Sequence, residues 1–219
     1  MANNVVKVNG IAIANITKLN GITDANLVKL NGEEFTGTPP DAHTLIASAT
    51  ASASATLEFT SGIDSTYNEY QFHFLNMHPA SSGVGFQFQV NATDGADYND
   101  SPIHTTHVQA YHNEAGSDSG LAYSTGNDAD QSTSYIPLLA GLANDADSNA
   151  SGVLNLYAPS STTYVKHFIS NIQFNNGTYS TQAFTAGYIE DATAIDNISF
   201  KFSSGNIDAG IIKMYGVIK

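Results

Sequence analysis

The chain has 219 residues, and its twenty acidic residues against seven basic ones leave a formal charge of −13. All seven basic residues are lysines, and so few cations suit neither nucleic-acid phosphates nor anionic lipid headgroups. Cysteine is absent, which excludes disulfides, thiolate nucleophiles and cysteine-ligated metal sites. We therefore expect neither a nucleic-acid partner nor a membrane partner.

The first fifteen residues have no cationic start and no long apolar run, so they do not have the pattern of a secretory signal peptide. No later run is apolar enough to predict a membrane-spanning helix. If the protein acts outside a cell, we expect another route of export, of which assembly into a virus is one.

An 11-residue repeat opens the chain: KVNG at 7–10 returns as KLNG at 18–21 and again at 29–32. Asn-Gly between short alternating segments is a strong hairpin signal, because a type I′ turn needs two residues with positive φ. A period of eleven also fits a hendecad coiled coil, but Asn and Gly in every copy disfavour a continuous helix. The repeat therefore predicts a small β-meander or β-roll.

The repeat contains more apolar residues than about 35 residues can bury alone. They need a partner, which can be the main domain, sister subunits or a larger assembly; a flexible tail is the other reading. We expect this segment to dock on a partner or to oligomerise. The expected assembly is a homo-oligomer, for which we take a trimer as the working hypothesis. The assembly segment comprises Val6, Val8, Asn9, Gly10, Ile11, Ile16, Leu19, Asn20, Gly21, Leu27, Leu30, Asn31, Gly32 and Phe35.

A proline pair in TGTPPDA (36–42) predicts a hinge, because consecutive prolines resist both helix and central strand. We accordingly divide the chain into an N-terminal repeat segment, 1–38, and a β-domain, 41–219.

Period-2 alternation dominates the β-domain. The clearest faces are Tyr70, Phe72 and Phe74 in one strand, Val84 to Val90 at every second position in the next, and Ile198, Phe200 and Phe202 near the end. In YVKHFISNIQF, the residues Val165, His167 and Ile169 oppose Lys166, Phe168 and Ser170, and GVLNLYA (152–158) alternates less clearly. Further strands are expected near 45–60, 103–112, 134–139 and 179–189, with polar clusters such as NEAGSDSG and STGNDADQST as loops.

Roughly ten strands at this spacing, without helical crossovers, predict an all-β fold: an antiparallel, jelly-roll-like β-sandwich preceded by the small β-repeat. The densest apolar run, 207–218, stops one residue before Lys219. We expect it to be a central strand covered on both faces by sheet or by a neighbouring subunit. Gly210 is expected at its entry, and Gly216 at a close approach of another backbone.

Tandem K-x-N-G repeats ahead of a Ser/Thr-rich β-domain resemble virion proteins of bacteriophages, especially of marine and cyanobacterial phages. The most specific part is SSGNIDAGIIKMYG (203–216), supported by FTSGIDSTYNEYQFHFLNMHP (59–79) and SGVLNLYAP (151–159). The resemblance implies a location in the virion and a non-enzymatic role as a head-decoration, tail-fibre or minor structural protein. Its partners would be other capsid or tail proteins and sister subunits.

The sequence has none of the common catalytic motifs, such as a nucleophile elbow, a P-loop or HExxH, so we expect no enzyme activity and no cofactor.

The best metal candidates are His104, His107 and His112 in HTTHVQAYH. In a strand, the first two point to opposite faces, so only a bend would bring them together. We therefore predict surface or interface histidines and no metal site there.

Three acidic loops offer hard oxygen ligands for calcium, but turn-forming residues with solvated charge are the simpler interpretation. They are Asp94–Asp100, Asp128–Asp130 and Asp145–Asp147.

Four tyrosines in or beside polar loops can stack on sugars, anchor an interface or pack at a sandwich edge. They are Tyr98, Tyr111, Tyr123 and Tyr164.

Two functions stay open on the sequence alone. The first is a virion building block that docks through its repeat and carries the β-domain on the surface. The second is a tail receptor-binding module that recognises a host cell-surface glycan.

Overall fold

The computed structural model describes residues 43–92 and 97–217 in full, together with six short strands in the first part of the chain. The chain divides into two compact units, one covering residues 1–44 and the other residues 45–217.

Three β-hairpins make up the described part of the repeat. Their strands are Lys7–Val8 (β1), Ile11–Ala12 (β2), Lys18–Leu19 (β3), Ile22–Thr23 (β4), Lys29–Leu30 (β5) and Glu33–Glu34 (β6). Each pair is antiparallel in the same register, with Val8 opposite Ile11, and two residues, Asn-Gly, separate the paired strands in every copy. The described strands form three separate two-stranded sheets rather than one continuous meander.

Most of the assembly segment lies outside the described residues. This holds for Val6, Asn9, Gly10, Ile16, Asn20, Gly21, Leu27, Asn31, Gly32 and Phe35, and for the 36–42 hinge. Val8, Ile11, Leu19 and Leu30 lie in the hairpin strands.

Thirteen strands follow in the part of the chain that the structure describes. They are His43–Thr50 (β7), Leu57–Phe59 (β8), Glu69–Pro79 (β9), Val84–Ala92 (β10), Ile103–Asn113 (β11), Ser119–Tyr123 (β12), Ala129–Ser132 (β13), Ile136–Leu142 (β14), Ala150–Tyr157 (β15), Lys166–Asn175 (β16), Tyr179–Ile189 (β17), Ile195–Phe202 (β18) and Ile207–Val217 (β19). Residues 124–133, expected to be a loop, contain β13, because pairing with β11 overrides their turn-rich composition. β12 likewise begins inside an expected loop and pairs with β11.

The strands form an antiparallel β-sandwich, which confirms the predicted fold class. The large sheet has the order β12-β11-β17-β16-β15-β9-β19-β7, with β13 also on β11, and the small sheet has the order β14-β10-β18-β8. No helix among the described residues is long and apolar enough to cross a membrane.

The core is an aromatic layer between the two sheets. Phe200 of the small sheet lies 5.5 Å from Phe72 and 5.3 Å from Phe74 of the large sheet, between ring centroids. Phe88 of the small sheet meets Phe168 of the large sheet edge-on at 4.9 Å. The buried faces of β9, β10 and β18 are those predicted from alternation.

The C-terminal strand β19 is internal, flanked by β9 and β7. One of its faces is fully buried, with Ile212 and Met214 at 0% exposure, whereas the other face is only half-buried within this chain. Gly210 (φ +131°) marks a close approach, since a Cβ there would lie 2.9 Å from Met77 Cα. At Gly216 the close neighbour is the ring of Tyr67, 2.4 Å from a Cβ position, and not a backbone as expected.

Candidate functional site

The candidate site among the described residues is a groove on the outer face of the large sheet. It crosses β11, β17 and β16 and has a volume of about 600 Å³. Successive side chains of a strand point to opposite faces of the sheet. The outer face therefore carries the residues at the positions between those that point into the core. The groove is open and lies across strands that are fixed by hydrogen bonds on both sides.

One wall of the groove is a row of three rings in cross-strand register. His104 and His167 both lie opposite Tyr188 on the neighbouring strands. The imidazole of His104 stacks on the Tyr188 ring at 4.8 Å and an interplanar angle of 19°, and His167 meets it edge-on at 6.1 Å. The strand pairing therefore holds these side chains in one fixed wall.

The neighbouring register row forms the floor. Ala186 lies opposite Thr106 on one side and Ile169 on the other, and Ile169 keeps 50% of its surface exposed. The small side chain at 186 creates the depression. Gly187 permits the close approach of β11, because a Cβ there would lie 2.0 Å from the carbonyl oxygen of His104.

Two carboxylates and an amide lie at the His104 end of the groove. His104 Nε2 donates to Glu190 Oε2 at 3.0 Å, and His104 Nδ1 lies 3.3 Å from Asp130 Oδ1. Gln131 Nε2 also donates to Glu190 Oε2, at 3.3 Å, from a left-handed backbone (φ 48°). The hydrogen bonds from His104 and Gln131 lower the pKa of Glu190, so its carboxylate remains an acceptor at neutral pH.

Glu190 belongs to a well-anchored segment. Its backbone N–H donates to Pro102 O at 2.8 Å. The fully buried Lys166 donates through Nζ to the carbonyl oxygens of Asp191 and Thr193. Burial lowers the pKa of Lys166, an effect that the nearby Asp191 carboxylate opposes. Lys166 thus fixes the chain that follows β17 and, with it, the rim of the groove.

The three candidate histidines do not meet. His104 and His112 lie on the outer face of β11, eight residues and therefore roughly 26 Å apart, whereas His107 is buried on the inner face. β11 pairs with β17 in unbroken register over its whole length, so no bend brings them together. Among the described residues, no three His, Asp or Glu side chains form a group that could hold a metal ion.

Two residues of the acidic loops, Asp128 and Asp130, have side-chain partners in the described part of the chain. Asp128 Oδ2 accepts a hydrogen bond from Tyr123 OH at 2.7 Å, and Asp130 approaches His104. Asp145 and Asp147 lie in an exposed turn. Asp94 is outside the described residues.

The four loop tyrosines do not converge on the groove. Tyr98 packs 6.4 Å from Tyr135, and burial, aided by Glu58, raises its pKa to about 12. Tyr111 packs 6.0 Å from Tyr179, while Tyr123 is bound to Asp128 and Tyr164 is 76% exposed.

Sequence reasoning found His104, but as a metal candidate, and missed Tyr188 as a site residue. The alternation in YVKHFISNIQF does place His167 and Ile169 on one face of the strand, so these two groove residues could have been grouped from the sequence.

No protein-family model matches the chain, and no curated protein matches it.

The buried His107 lies in an environment that disfavours its protonated form. Its Nδ1 lies 2.8 Å from Thr185 Oγ1, and Thr185 Oγ1 also donates to Leu138 O at 3.3 Å. His107 Nε2 is buried and has no hydrogen-bond partner, so protonation would bury an unsatisfied N–H. Burial lowers the pKa of His107 below its ordinary 6.5, and Asp128 opposes this effect.

We expect the free energy of unfolding to fall as the pH drops below about 6.5, because the unfolded chain then binds a proton that the folded chain refuses. One such proton contributes a slope of about 1.4 kcal/mol per pH unit. His107→Gln should reduce this slope in urea titrations between pH 7.5 and pH 5. The control His112→Gln, at an exposed position on the same strand, should leave it unchanged, and an equal slope in both variants would contradict the assignment.

Proposed function

We propose that this chain is a non-enzymatic structural protein of a virus particle. Residues 1–38 attach it to the particle or to sister subunits, and the β-sandwich is carried on the surface as a decoration or fibre component. The observation that carries the proposal is the repeat of three hairpins in identical register. Isolated two-stranded hairpins are marginal in water, so a segment built of them needs a surface to dock on.

The charge distribution is consistent with an attaching repeat segment and a surface-exposed β-domain. Residues 1–38 contain three lysines and three acidic residues, whereas most of the negative charge lies in the β-domain. A strongly charged domain stays soluble and resists non-specific association. The near-neutral repeat, with its regularly placed apolar residues, is better suited to close contact.

Deletion of residues 1–38 should leave a folded sandwich that no longer oligomerises or enters the particle. The physical reason is that β7–β19 supply two paired sheets with a shared aromatic core. Circular dichroism should show unchanged cooperative melting, while light scattering and particle purification should show lost assembly.

A second variant tests whether the assembly defect comes from loss of the hairpin turns or merely from the shorter chain. Replacing Gly10, Gly21 and Gly32 by Val in the full chain disfavours the positive φ that two-residue hairpin loops need. It should reproduce the assembly defect of the deletion. Normal incorporation of the truncated protein into the particle would refute the docking role.

A receptor-binding role is the second candidate function. The groove on the outer face of the large sheet favours it, because aromatic and polar side chains converge there on an exposed surface.

A further inference from the structure

We propose that the groove walled by His104, Tyr188 and His167 is a binding site for a neutral glycan. This gives a location and a ligand chemistry to the receptor-binding candidate above. It does not depend on attachment of the chain to a particle.

We infer an uncharged ligand because the lining of the groove contains no Asp, Glu, Lys or Arg, and the nearest carboxylates, Glu190 and Asp130, lie at its rim. The outward-facing residues of β16 and β17 are likewise free of these four types, although the chain as a whole carries −13. The surrounding negative potential repels anionic sugars such as sialylated or phosphorylated chains. A cationic ligand would meet carboxylates only at the His104 end, where Glu190 already accepts hydrogen bonds from His104 and Gln131.

The ligand has apolar faces because the lining is mostly apolar. The rings of Tyr188 and His167, the exposed Ile169 and the methyl group of Ala186 form a surface for C–H groups. A pyranose ring presents such groups on its faces and hydroxyls around its edge. Aromatic side chains with a polar tip suit this mixture, since they supply apolar contact and a hydrogen-bonding group together.

The hydroxyls of the ligand meet acceptors at the rim. The carboxylates of Glu190 and Asp130 flank His104, and hydrogen bonds to an ionised carboxylate are shorter and stronger than neutral ones. Glu190 is held by Gln131 and by its own anchored backbone. The Glu190 carboxylate is therefore oriented before any ligand arrives, which lowers the entropic cost of binding.

The size and openness of the groove suit a short stretch of a longer chain. Its volume of about 600 Å³ falls within the range of about 300–1,000 Å³ for small-ligand sites. Beyond the groove, the same face continues with paired amides, in which Gln182 Nε2 donates to Asn171 Oδ1 at 2.9 Å. Further sugar residues can follow the register rows across the sheet.

The competing occupant of this face is a second copy of the chain. Phe184 and Tyr123, which are 41% and 51% exposed, lie on the same face. Exposed apolar groups of this kind also occur at protein interfaces. The polar amides and carboxylates around the groove favour the glycan, and the experiment separates the two.

The test titrates the full chain with methyl glycosides of glucose, galactose, mannose and N-acetylglucosamine, with their oligomers, and with a sialylated oligosaccharide. Binding is followed by NMR of the histidine ring protons and by calorimetry. Ala186→Leu fills the floor of the groove. Its matched control, Ser180→Leu, adds the same side chain to an exposed position on the same face of β17. Thermal melting checks that both variants are folded.

We expect at least one neutral sugar to shift the ring signals of His104 and His167, and the sialylated probe to bind at least about tenfold more weakly. Ala186→Leu should weaken binding by about tenfold or more, equivalent to 1.4 kcal/mol, and Ser180→Leu by less than about twofold. Absence of binding by every neutral probe would overturn the proposal, as would binding that is unaffected by Ala186→Leu. Loss of self-association in Ala186→Leu without glycan binding would assign the face to a second copy. None of these results depends on the repeat, which the deletion of residues 1–38 tests separately.

Discussion

Truncation of the chain after Asp208 should give insoluble protein. The deletion removes β19 from Ala209 onward, a strand paired with β9 from Ile211 to Val217. It also removes the buried side chains of Ile212 and Met214. Loss of two such side chains alone costs about 4 to 10 kcal/mol, which is comparable to the whole stability of a domain.

The sheet topology adds to this loss. β7 lies at the end of the large sheet beyond β19, so it loses its neighbouring strand, and Ile46 and Ala47, which pack against the core, lose their support. The free edge of β9 would then expose unpaired backbone groups, which template aggregation.

The measurement is the soluble fraction after expression, followed by thermal melting of any soluble material. Removal of Lys219 alone is the control and should change neither quantity. A soluble truncated protein with unchanged cooperative melting would show that β19 is not a core strand.

The strands whose buried face could be predicted most clearly share one property: large apolar residues occupy every second position and polar residues most of the others. β9, β10 and β18 satisfy this condition, and their alternating apolar residues are all buried, although β10 and β18 also bury Gln89 and Ser199 on the opposite face. β16 is harder because both of its faces carry apolar residues. Its buried face includes Lys166, which is accommodated by two carbonyl oxygens some 25 residues further along the chain. Nothing local to β16 reveals those acceptors.

The short strands β12 and β13 were missed for a related reason. Their residues are typical of turns, and they become strands because β11 offers a partner. Strand propensity depends on such context more than helix propensity does.

The groove depends on register between strands that are distant in the sequence. His104 and Tyr188 are 84 positions apart, and the contact exists because β11 pairs with β17 as it does. A slip of one residue would turn one of the two side chains to the other face. The sequence shows the chemistry of these residues singly, but their assembly into one wall follows only from the order of strands in the sheet.

Phe200→Ala should be strongly destabilising and lower the free energy of unfolding by about 3–5 kcal/mol. Phe200 is fully buried at the junction of the two sheets and contacts four rings. Its ring centroid lies 6.4 Å from Phe59, 5.5 Å from Phe72, 5.3 Å from Phe74 and 5.9 Å from Phe86.

The neighbours of Phe200 belong to paired strands that cannot collapse into the space, so most of the ring volume would remain as a cavity. Urea denaturation at neutral pH measures the decrease in the free energy of unfolding. An unchanged slope of that free energy against urea concentration would confirm that the two-state transition is preserved. Phe184→Ala is the matched control, because it removes the same side chain from the solvent-facing side of β17, where Phe184 is 41% exposed. That variant should cost less than about 1 kcal/mol. Similar losses in the two variants would show that the junction of the sheets is not the centre of the core, since only a ring enclosed on all sides leaves a cavity when it is removed.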